Sequence, residues 1–524
     1  MKTSCLFAAG ALLFLGCQPR ESATQKPSAP QQQQQPAQVQ EEQAVTEPAA
    51  PSPTHSMVGI NATNQGYSMI QPWSKAEPAY SEGFGIYLGN GNILTTANIV
   101  HSASFVEVST ADGSQTVPVV VTSFDPEANL ALLRLKHEKD VPFLDKLVPV
   151  KLGQAPKLGD SVTFWQFNSD GLPITTNGTL QATESATPFT SGEPFVLYNV
   201  KSSVTTLKGG AGNPVMAGDE LVGLSASCDT SEQKVLAVTR TMLAQFLEQA
   251  QSGHYTGFPA DGAQIAELTD PVFRKYLGMP ETGGGVYIVK LPEYSSFYKA
   301  GLRPGDALES VNGHMLDGKG LIQDPALGPV SVNMLFRDSA TPGDIITLGI
   351  RRKDKNGVSQ PLTLKVKLDR NALEQDLVNQ SPFIEEPPYR IYGGLIFVPL
   401  TRALMGDISK VTKNRPPLPL VEALDQKEEM RKNGVDEIVI FLMSLPTKAT
   451  LGYANMSPAT VKAVNGVPVK SLKHLNQLLD GPAPGDIHRI EVSQQPYTMY
   501  MSKKDVAEAD RFIQLRAVPV LRRD

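Results

Sequence analysis

Groups able to attack, ligate or shuttle protons are thinly spread through this sequence. Three cysteines, Cys5, Cys17 and Cys228, are too few for a disulfide scaffold. Cys228 lies beside an apolar stretch, where a lone thiol behaves as a small core residue. His55, His137, His254, His314, His474 and His488 are scattered without any paired ligand spacing, so no metal site is expected. Gly283-Gly284-Gly285 lacks the Lys and Ser that complete a phosphate-cradling loop and reads as a turn before a strand at Val286–Lys290. No cofactor is expected. What remains is one small-residue loop, Gly209-Gly210-Ala211-Gly212-Asn213-Pro214, preceded by the hydroxyls of Ser202, Ser203, Thr205 and Thr206. His101 and Asp125 stand upstream as the nearest titratable residues of interest.

These residues need elements to position them. The chain has 524 residues, enough for about three or four domains. Lys plus Arg number 47 and Asp plus Glu 53, a formal charge of −6, so no basic surface for nucleic acid is indicated. Apolar residues at 41%, with 43 Gly and 41 Pro, favour many short strands and turns. From 57 to 250 short apolar runs recur, as in Gly85–Leu88, Val117–Val121, Leu130–Leu135 and Glu220–Leu224. They predict an all-β barrel or sandwich. One helix is expected, over Thr241–Gln251, with Leu243, Phe246 and Leu247 on one face. A second block, 251–370, carries Ala300-Gly301-Leu302-Arg303-Pro304-Gly305-Asp306 and the hairpin signal Val311-Asn312-Gly313. A third, 371–524, repeats the idea with Gly393-Gly394-Leu395-Ile396-Phe397 and Val464-Asn465-Gly466, then helices at Leu472–Leu479 and Lys503–Leu515.

The N-terminus reads as an address. Lys2 is followed by the apolar run Leu6–Leu15, of signal-peptide length and too short for a bilayer span. Phe14-Leu15-Gly16-Cys17 resembles a bacterial lipobox, which implies removal of a lipoprotein signal peptide, residues 1–16, and acylation of Cys17. Gln18 fits sorting to the outer membrane. Residues 17–56, with Gln31–Gln35 and many prolines, are too poor in large apolar residues to offset their chain entropy and read as a disordered tether.

Residues 300–313, AGLRPGDALESVNG, resemble the PDZ domain of the HtrA/Deg proteases. Ile93–Val100, Asp125–Leu133 and Gly209–Pro214 resemble, in order and spacing, that family's histidine, aspartate and serine segments. Residues 393–401, with Val464–Leu475 and Tyr255–Pro259, resemble a Deg branch of plant organelles and some bacteria. The resemblance implies a multidomain fold. A trypsin-like all-β double barrel (57–250) would precede two PDZ-like, mostly-β domains, 251–370 and a divergent 371–524.

Residue by residue, the resemblance places Asn98 at the histidine position, Asn129 at the aspartate position and Ala211 at the serine position. An amide takes up no proton near neutral pH and alanine offers no nucleophile. The sequence therefore sets the expectation of no enzyme, a pseudoprotease with a residual oxyanion hole at the backbone of Gly209 and Ala211. Asn213 replaces a family glycine. Peptide binding is expected at the carboxylate loops, Asp261-Gly262-Ala263 in the first PDZ-like domain and Gly393-Gly394-Leu395 in the second. Asp261 sets a negative charge where a terminal carboxylate would dock. The expected partners are unfolded proteins, or C-terminal or internal segments of partner proteins, met in the cell envelope at the periplasmic face of the outer membrane. A homo-oligomer, a trimer or a multiple of it, is implied, with Tyr67, Ile70, Pro72 and Trp73 as subunit contacts. Two rival readings are an active endopeptidase with a non-standard site and a structural lipoprotein that assembles with an active paralogue.

Overall fold

The apolar run Leu130–Leu133 is buried along its whole length, whereas Val120 and Val121 of the run Val117–Val121 stay exposed. β1 (Met57–Asn64), β2 (Ala79–Gly89), β3 (Asn92–Thr95), β4 (Ala103–Ser109), β5 (Thr116–Asp125) and β6 (Leu130–Leu135) close into a barrel in the order β1-β2-β3-β6-β5-β4. Val58, Ile60, Ile93, Val108 and Leu133 fill its interior. Met57, Ile86, Leu94 and Leu132 belong to a separate cluster that also takes in residues of the next barrel. That second barrel is built from β7 (Ser161–Phe167), β8 (Pro173–Ala186), β9 (Phe195–Ser202), β10 (Pro214–Ala217), β11 (Glu220–Asp229) and β12 (Lys234–Thr239), in the order β10-β11-β12-β9-β8-β7. The computed structural model describes residues 50–524 apart from 169, 191, 205–211, 380–385, 414 and 517.

Helix Arg240–Ser252 follows β12. Thr239 caps its start by accepting from the Met242 N–H, and Gly253 at φ 74° ends it. It places Leu243, Phe246 and Leu247 in the seam between the barrels, where Tyr255 and Phe258 also pack. The trypsin-like double barrel expected from the sequence is the architecture observed. The lipobox with Cys17, and the tether as far as residue 49, lie outside the described residues. Residues 50–56, which the sequence assigned to the tether, are described. Pro53–Ser56 forms a helical turn capped by Ser52, and the His55 carbonyl accepts from the Val148 N–H at 2.7 Å, which ties the turn to the barrel. Among the described residues no helix is long and apolar enough to cross a membrane.

The next domain is a sheet ordered β13 (Gln264–Glu267), β14 (Val286–Lys290), β15 (Ala307–Val311), then Ile345–Lys353 and Ser359–Lys367. Its RPGD turn is pinned by a fork of Arg352 on Asp306, with Nε at 2.6 Å and Nη2 at 2.6 Å from the two carboxylate oxygens. Asn312-Gly313, both at positive φ, makes the hairpin that its letters predict. β13 lies at the sheet edge and, among the described residues, pairs only with β14.

The last domain runs Thr498–Ser502, Ile487–Val492, Ala459–Val464, Val439–Ser444, Leu395–Pro399, Tyr389–Tyr392 and Arg522–Arg523 across one sheet. Helices Leu472–Asp480 and Lys503–Arg516 fall where the sequence placed them. Helices Arg402–Val411 and Leu418–Lys432 were not anticipated. Tyr67, Pro72 and Trp73, expected at a subunit boundary, pack on this domain of the same chain. Tyr67 donates to Glu386 Oε1 at 2.5 Å, Arg523 donates to the Pro72 carbonyl at 3.0 Å, and Trp73 meets Tyr389 edge-on at 6.0 Å.

Candidate functional site

Three segments converge at the end of β3. A helical turn, Ala97–Val100, begins after Thr96. The Asn98 backbone N–H donates to Asn129 Oδ1 at 2.9 Å. Asn129 is buried at φ 57°, a left-handed conformation that Asn tolerates better than most residues, and its Nδ2 donates to the Pro188 carbonyl at 3.4 Å. Gly212 completes the approach at φ 90°. A Cβ there would lie 3.1 Å from Thr96 Oγ1 and 3.1 Å from the Ile99 side chain. Asn213 is wholly buried, and its backbone N–H donates to Ser225 Oγ at 2.9 Å.

Asn98, Asn129 and the C-terminal side of the small-residue loop are therefore neighbours. Gly209 and Ala211 lie outside the described residues, as do Thr205 and Thr206. Thr96 Oγ1, Asn98 Oδ1 and both amide atoms of Asn213 are buried with no hydrogen-bond partner among the described residues. Buried polar atoms are rarely left so, and the site keeps spare hydrogen-bonding capacity. The two amide side chains can donate and accept hydrogen bonds, but they do not act as bases.

His101, Asp125 and Ser202 are turned to other tasks. His101 lies against the Phe189 ring at 5.4 Å, and burial pulls its imidazole pKa down. Asp125 is buried, accepts from the Tyr255 hydroxyl at 2.5 Å and from the Ala128 N–H at 2.8 Å, and is pushed up in pKa by burial and then by Glu127. Ser202 donates to the Asn177 carbonyl at 2.8 Å. Among the described residues no group of three or more His, Cys, Asp or Glu is placed to hold a metal ion.

A second site joins the barrels to the β13 sheet. Arg337, fully buried on the helical turn Met334–Asp338, donates to Glu127 Oε2 at 3.0 Å, to the Pro259 carbonyl at 2.6 Å and to the Glu193 carbonyl at 3.2 Å. Its guanidinium lies 4.0 Å from the centre of the Phe195 ring. Arg370 takes the other Glu127 oxygen at 2.7 Å. Glu193, in the linker from β8 to β9, sends its carboxylate onto the loop that leads into β13. Oε1 accepts from the Gly262 N–H at 2.6 Å and Oε2 from the Asp261 N–H at 3.2 Å. Arg337 Nη1 stands 3.7 Å from the same carboxylate. Asp261 Oδ1 turns back on the Ala263 N–H at 2.8 Å, and burial, then Glu193, pushes its carboxyl up to about 8. Burial favours the neutral form of Asp261 and so weakens the repulsion that a docking carboxylate would meet; burial pushes the Glu193 carboxyl up as well, against the pull of Arg337 and of the two N–H groups. Glu193, Arg337 and Arg370 were missed from the sequence, because charged residues far apart in the chain read by default as solvated surface.

The corresponding loop of the last domain differs from expectation. The Gly393 N–H is held by Asp510 Oδ1 at 2.7 Å. Strand Leu395–Pro399, wholly buried, pairs with Tyr389–Tyr392 on one side and Val439–Ser444 on the other. With both edges paired, this strand takes no added strand beside Gly393, Gly394 and Leu395.

A trypsin-like peptidase domain model matches residues 83–224, and a PDZ domain model matches residues 378–517. Among curated relatives, the chloroplastic Protease Do-like 2 of Arabidopsis thaliana is 24% identical over 432 residues, covering 81% of this chain and 68% of the relative. The mitochondrial Putative protease Do-like 12 of the same plant is 24% identical over 433 residues, covering 81% and 78%. Among solved structures, the HtrA-type protease AlgWS227A with decapeptide aligns at TM-score 0.46 and 16% identity, over 61% of this chain and 95% of that one. Double barrel and PDZ together define a protease-fold protein of modular build. The two matched domains and the likeness to Do-like proteases over 81% of the chain support the HtrA/Deg, or Do-like, family. This corrects the expectation of a non-enzyme, since the relatives are named proteases and the matched barrel model is that of a peptidase. That expectation rested on three residue identities, and the loop that would carry a nucleophile lies outside the described residues.

Proposed function

We propose that this HtrA/Deg-family chain is a lipid-anchored protein of the cell envelope that captures extended segments of unfolded or partner proteins for protein quality control. The observation that supports capture is β13, a strand with one hydrogen-bonded neighbour, entered from a loop whose N–H groups already cradle a carboxylate. An extended segment can add to such an edge through main-chain hydrogen bonds, with the cradle receiving its terminal carboxylate. The anchor is Cys17, and the working assembly is a trimer or a multiple of it.

The test of capture is suppression of aggregation of a chemically denatured client by the full chain at equimolar subunit. Absence of suppression would count against the reading. Loss of the protein from the membrane fraction in Cys17→Ser tests the anchor, and sedimentation tests the assembly. A second reading, peptide-bond hydrolysis, is favoured by the names of the relatives. Casein cleavage together with labelling by a fluorophosphonate would support it and would identify the nucleophile.

A further inference from the structure

We infer that Glu193 is an internal stand-in for a C-terminal carboxylate, and that it keeps the loop ahead of β13 closed to C-terminal ligands until it is displaced. The inference rests on the capture reading and specifies how that site is regulated.

Both oxygens of Glu193 are engaged by successive backbone N–H groups, Gly262 at 2.6 Å and Asp261 at 3.2 Å. Two adjacent N–H groups on two oxygens of one carboxylate are the contacts a chain terminus would make in the same cradle. Glu193 comes from a different domain, on the linker between β8 and β9, so it occupies the loop as a tethered ligand. The Asp261 side chain leaves the cradle clear by bonding the Ala263 N–H, and the Asp261 carbonyl is held by Ser295 Oγ at 2.7 Å. Among the described residues β13 pairs with β14 alone, and Ile265 on it is half exposed. The strand edge is thus available while the carboxylate position beside it is taken.

The charge balance favours exchange. Arg337 is shared between Glu127 at 3.0 Å and Glu193 at 3.7 Å. When Glu193 leaves, Arg337 keeps its contact with Glu127, which Arg370 also shares, and an incoming carboxylate restores the second contact. One carboxylate replaces another with no unpaired charge left buried. The natural chain then binds a C-terminal ligand with its intrinsic affinity reduced by the fraction of molecules whose loop is open.

The experiment uses the full chain, Glu193→Gln and Glu193→Ala. The probes are a fluorescein-labelled extended decapeptide ending in valine with a free carboxylate, and the same peptide amidated. Gln keeps the volume of Glu193 but removes the charge, and it brings an NH₂ group toward a cradle made only of donors. Both variants should bind the free-acid peptide at least tenfold more tightly than the natural chain, with no gain for the amide. A tenfold gain corresponds to a loop open in about a tenth of natural molecules. Equal affinity of all three proteins for the free acid would overturn the inference and leave strand capture standing. Failure of all three to bind either peptide would remove capture itself. If both variants unfold, amide exchange on the natural chain decides. Saturating free-acid peptide should speed exchange in fragments covering Glu193, and an unchanged rate would overturn the inference.

Discussion

The loop ahead of β13 and the loop ahead of Leu395–Pro399 contain the same local device in different settings. In each, a glycine-bearing loop gives a backbone N–H to a carboxylate of its own chain: Gly262 to Glu193, and Gly393 to Asp510. The first carboxylate arrives from another domain, and the strand that follows the loop is an edge. The second arrives from helix Lys503–Arg516 of the same domain, and the strand that follows is central. The space beside Gly393 is also filled: a Cβ would lie 2.7 Å from Met501 and 2.9 Å from Val506. Loop chemistry alone therefore does not make a peptide site. The pairing of the adjacent strand decides whether the cradle faces a ligand or serves as an internal joint.

The largest test breaks the joint of the first region. Arg337→Leu removes the wholly buried cation shared by Glu127 and Glu193. Breaking one partner of such a pair costs about 3–5 kcal/mol, because the remaining charges stay buried. Denaturant unfolding should show an early loss of the contact between the β13 sheet and the barrels, seen as protease sensitivity after residue 252. Arg390→Ala in the last domain removes a pair with Asp480, a carboxylate 46% exposed, and should cost no more than about 1 kcal/mol. Equal effects of the two changes would show that the regions are not held differently.

The next contrast concerns the strands. Phe397→Ala empties a fully buried position in the central strand and should cost about 3–5 kcal/mol. Ile265→Ala, on the half-exposed edge strand, should leave stability within about 0.5 kcal/mol and instead weaken peptide capture. A severe stability loss at Ile265 would mean that the edge is already covered.

Much of this fold was legible in the sequence, and the reasons are local. Continuous apolar runs such as Leu130–Leu133 bury both faces, Asn312-Gly313 turns the chain, and Thr239 with Gly253 brackets a helix. Helix Leu418–Lys432 was not legible. It follows two prolines, carries many charges and buries only Leu420 and Ala423, so it shows almost no apolar stripe. Of the candidate site, the meeting of Asn98 with Asn129 followed from family spacing. The Glu193 contact did not, because it joins residues 69 apart in two domains and is created only when the fold buries them together. The letters Gly393-Gly394-Leu395 do not tell that the strand after them is central, because strand order is set by partners elsewhere in the chain.

A separate contrast is the pH dependence of the two cradles. Burial, then Glu193, raises the Asp261 carboxyl from 3.8 to about 8. The folded state thus holds this proton more tightly than the unfolded chain does. The resulting stabilisation is complete below about pH 4, the unfolded value, and is lost as pH rises toward 8. Asp338, raised to about 7 chiefly by burial, acts in the same sense. Thermal unfolding of the natural chain should fall relative to Asp261→Asn across that window. Asp510 is also raised by burial, against the pull of the Gly393 N–H and Arg390, so its own window starts near pH 4 as well. Asp510→Asn should flatten a separate part of the profile. A profile that Asp261→Asn leaves unchanged would show that this carboxyl does not hold its proton in the folded chain.

The smallest effect lies where the two regions touch. Lys290 at the end of β14 meets Asp425 of helix Leu418–Lys432 at 2.6 Å, with the two side chains 51% and 72% exposed. So open a pair is screened by salt and pays side-chain entropy, and its coupling should not exceed about 1 kcal/mol. The packing beside it is of another kind: Arg431 lies 4.4 Å from the Tyr294 ring centre, and the Tyr294 hydroxyl reaches Glu428 at 3.0 Å. A double-mutant cycle of Lys290→Ala and Asp425→Ala at low and high salt should give a small coupling that vanishes with salt. Tyr294→Ala should loosen the same contact whatever the salt concentration, because it removes packed ring area. If the charge pair carried the contact instead, β13 and the last domain would separate as ionic strength rises, and the two regions would be joined electrostatically.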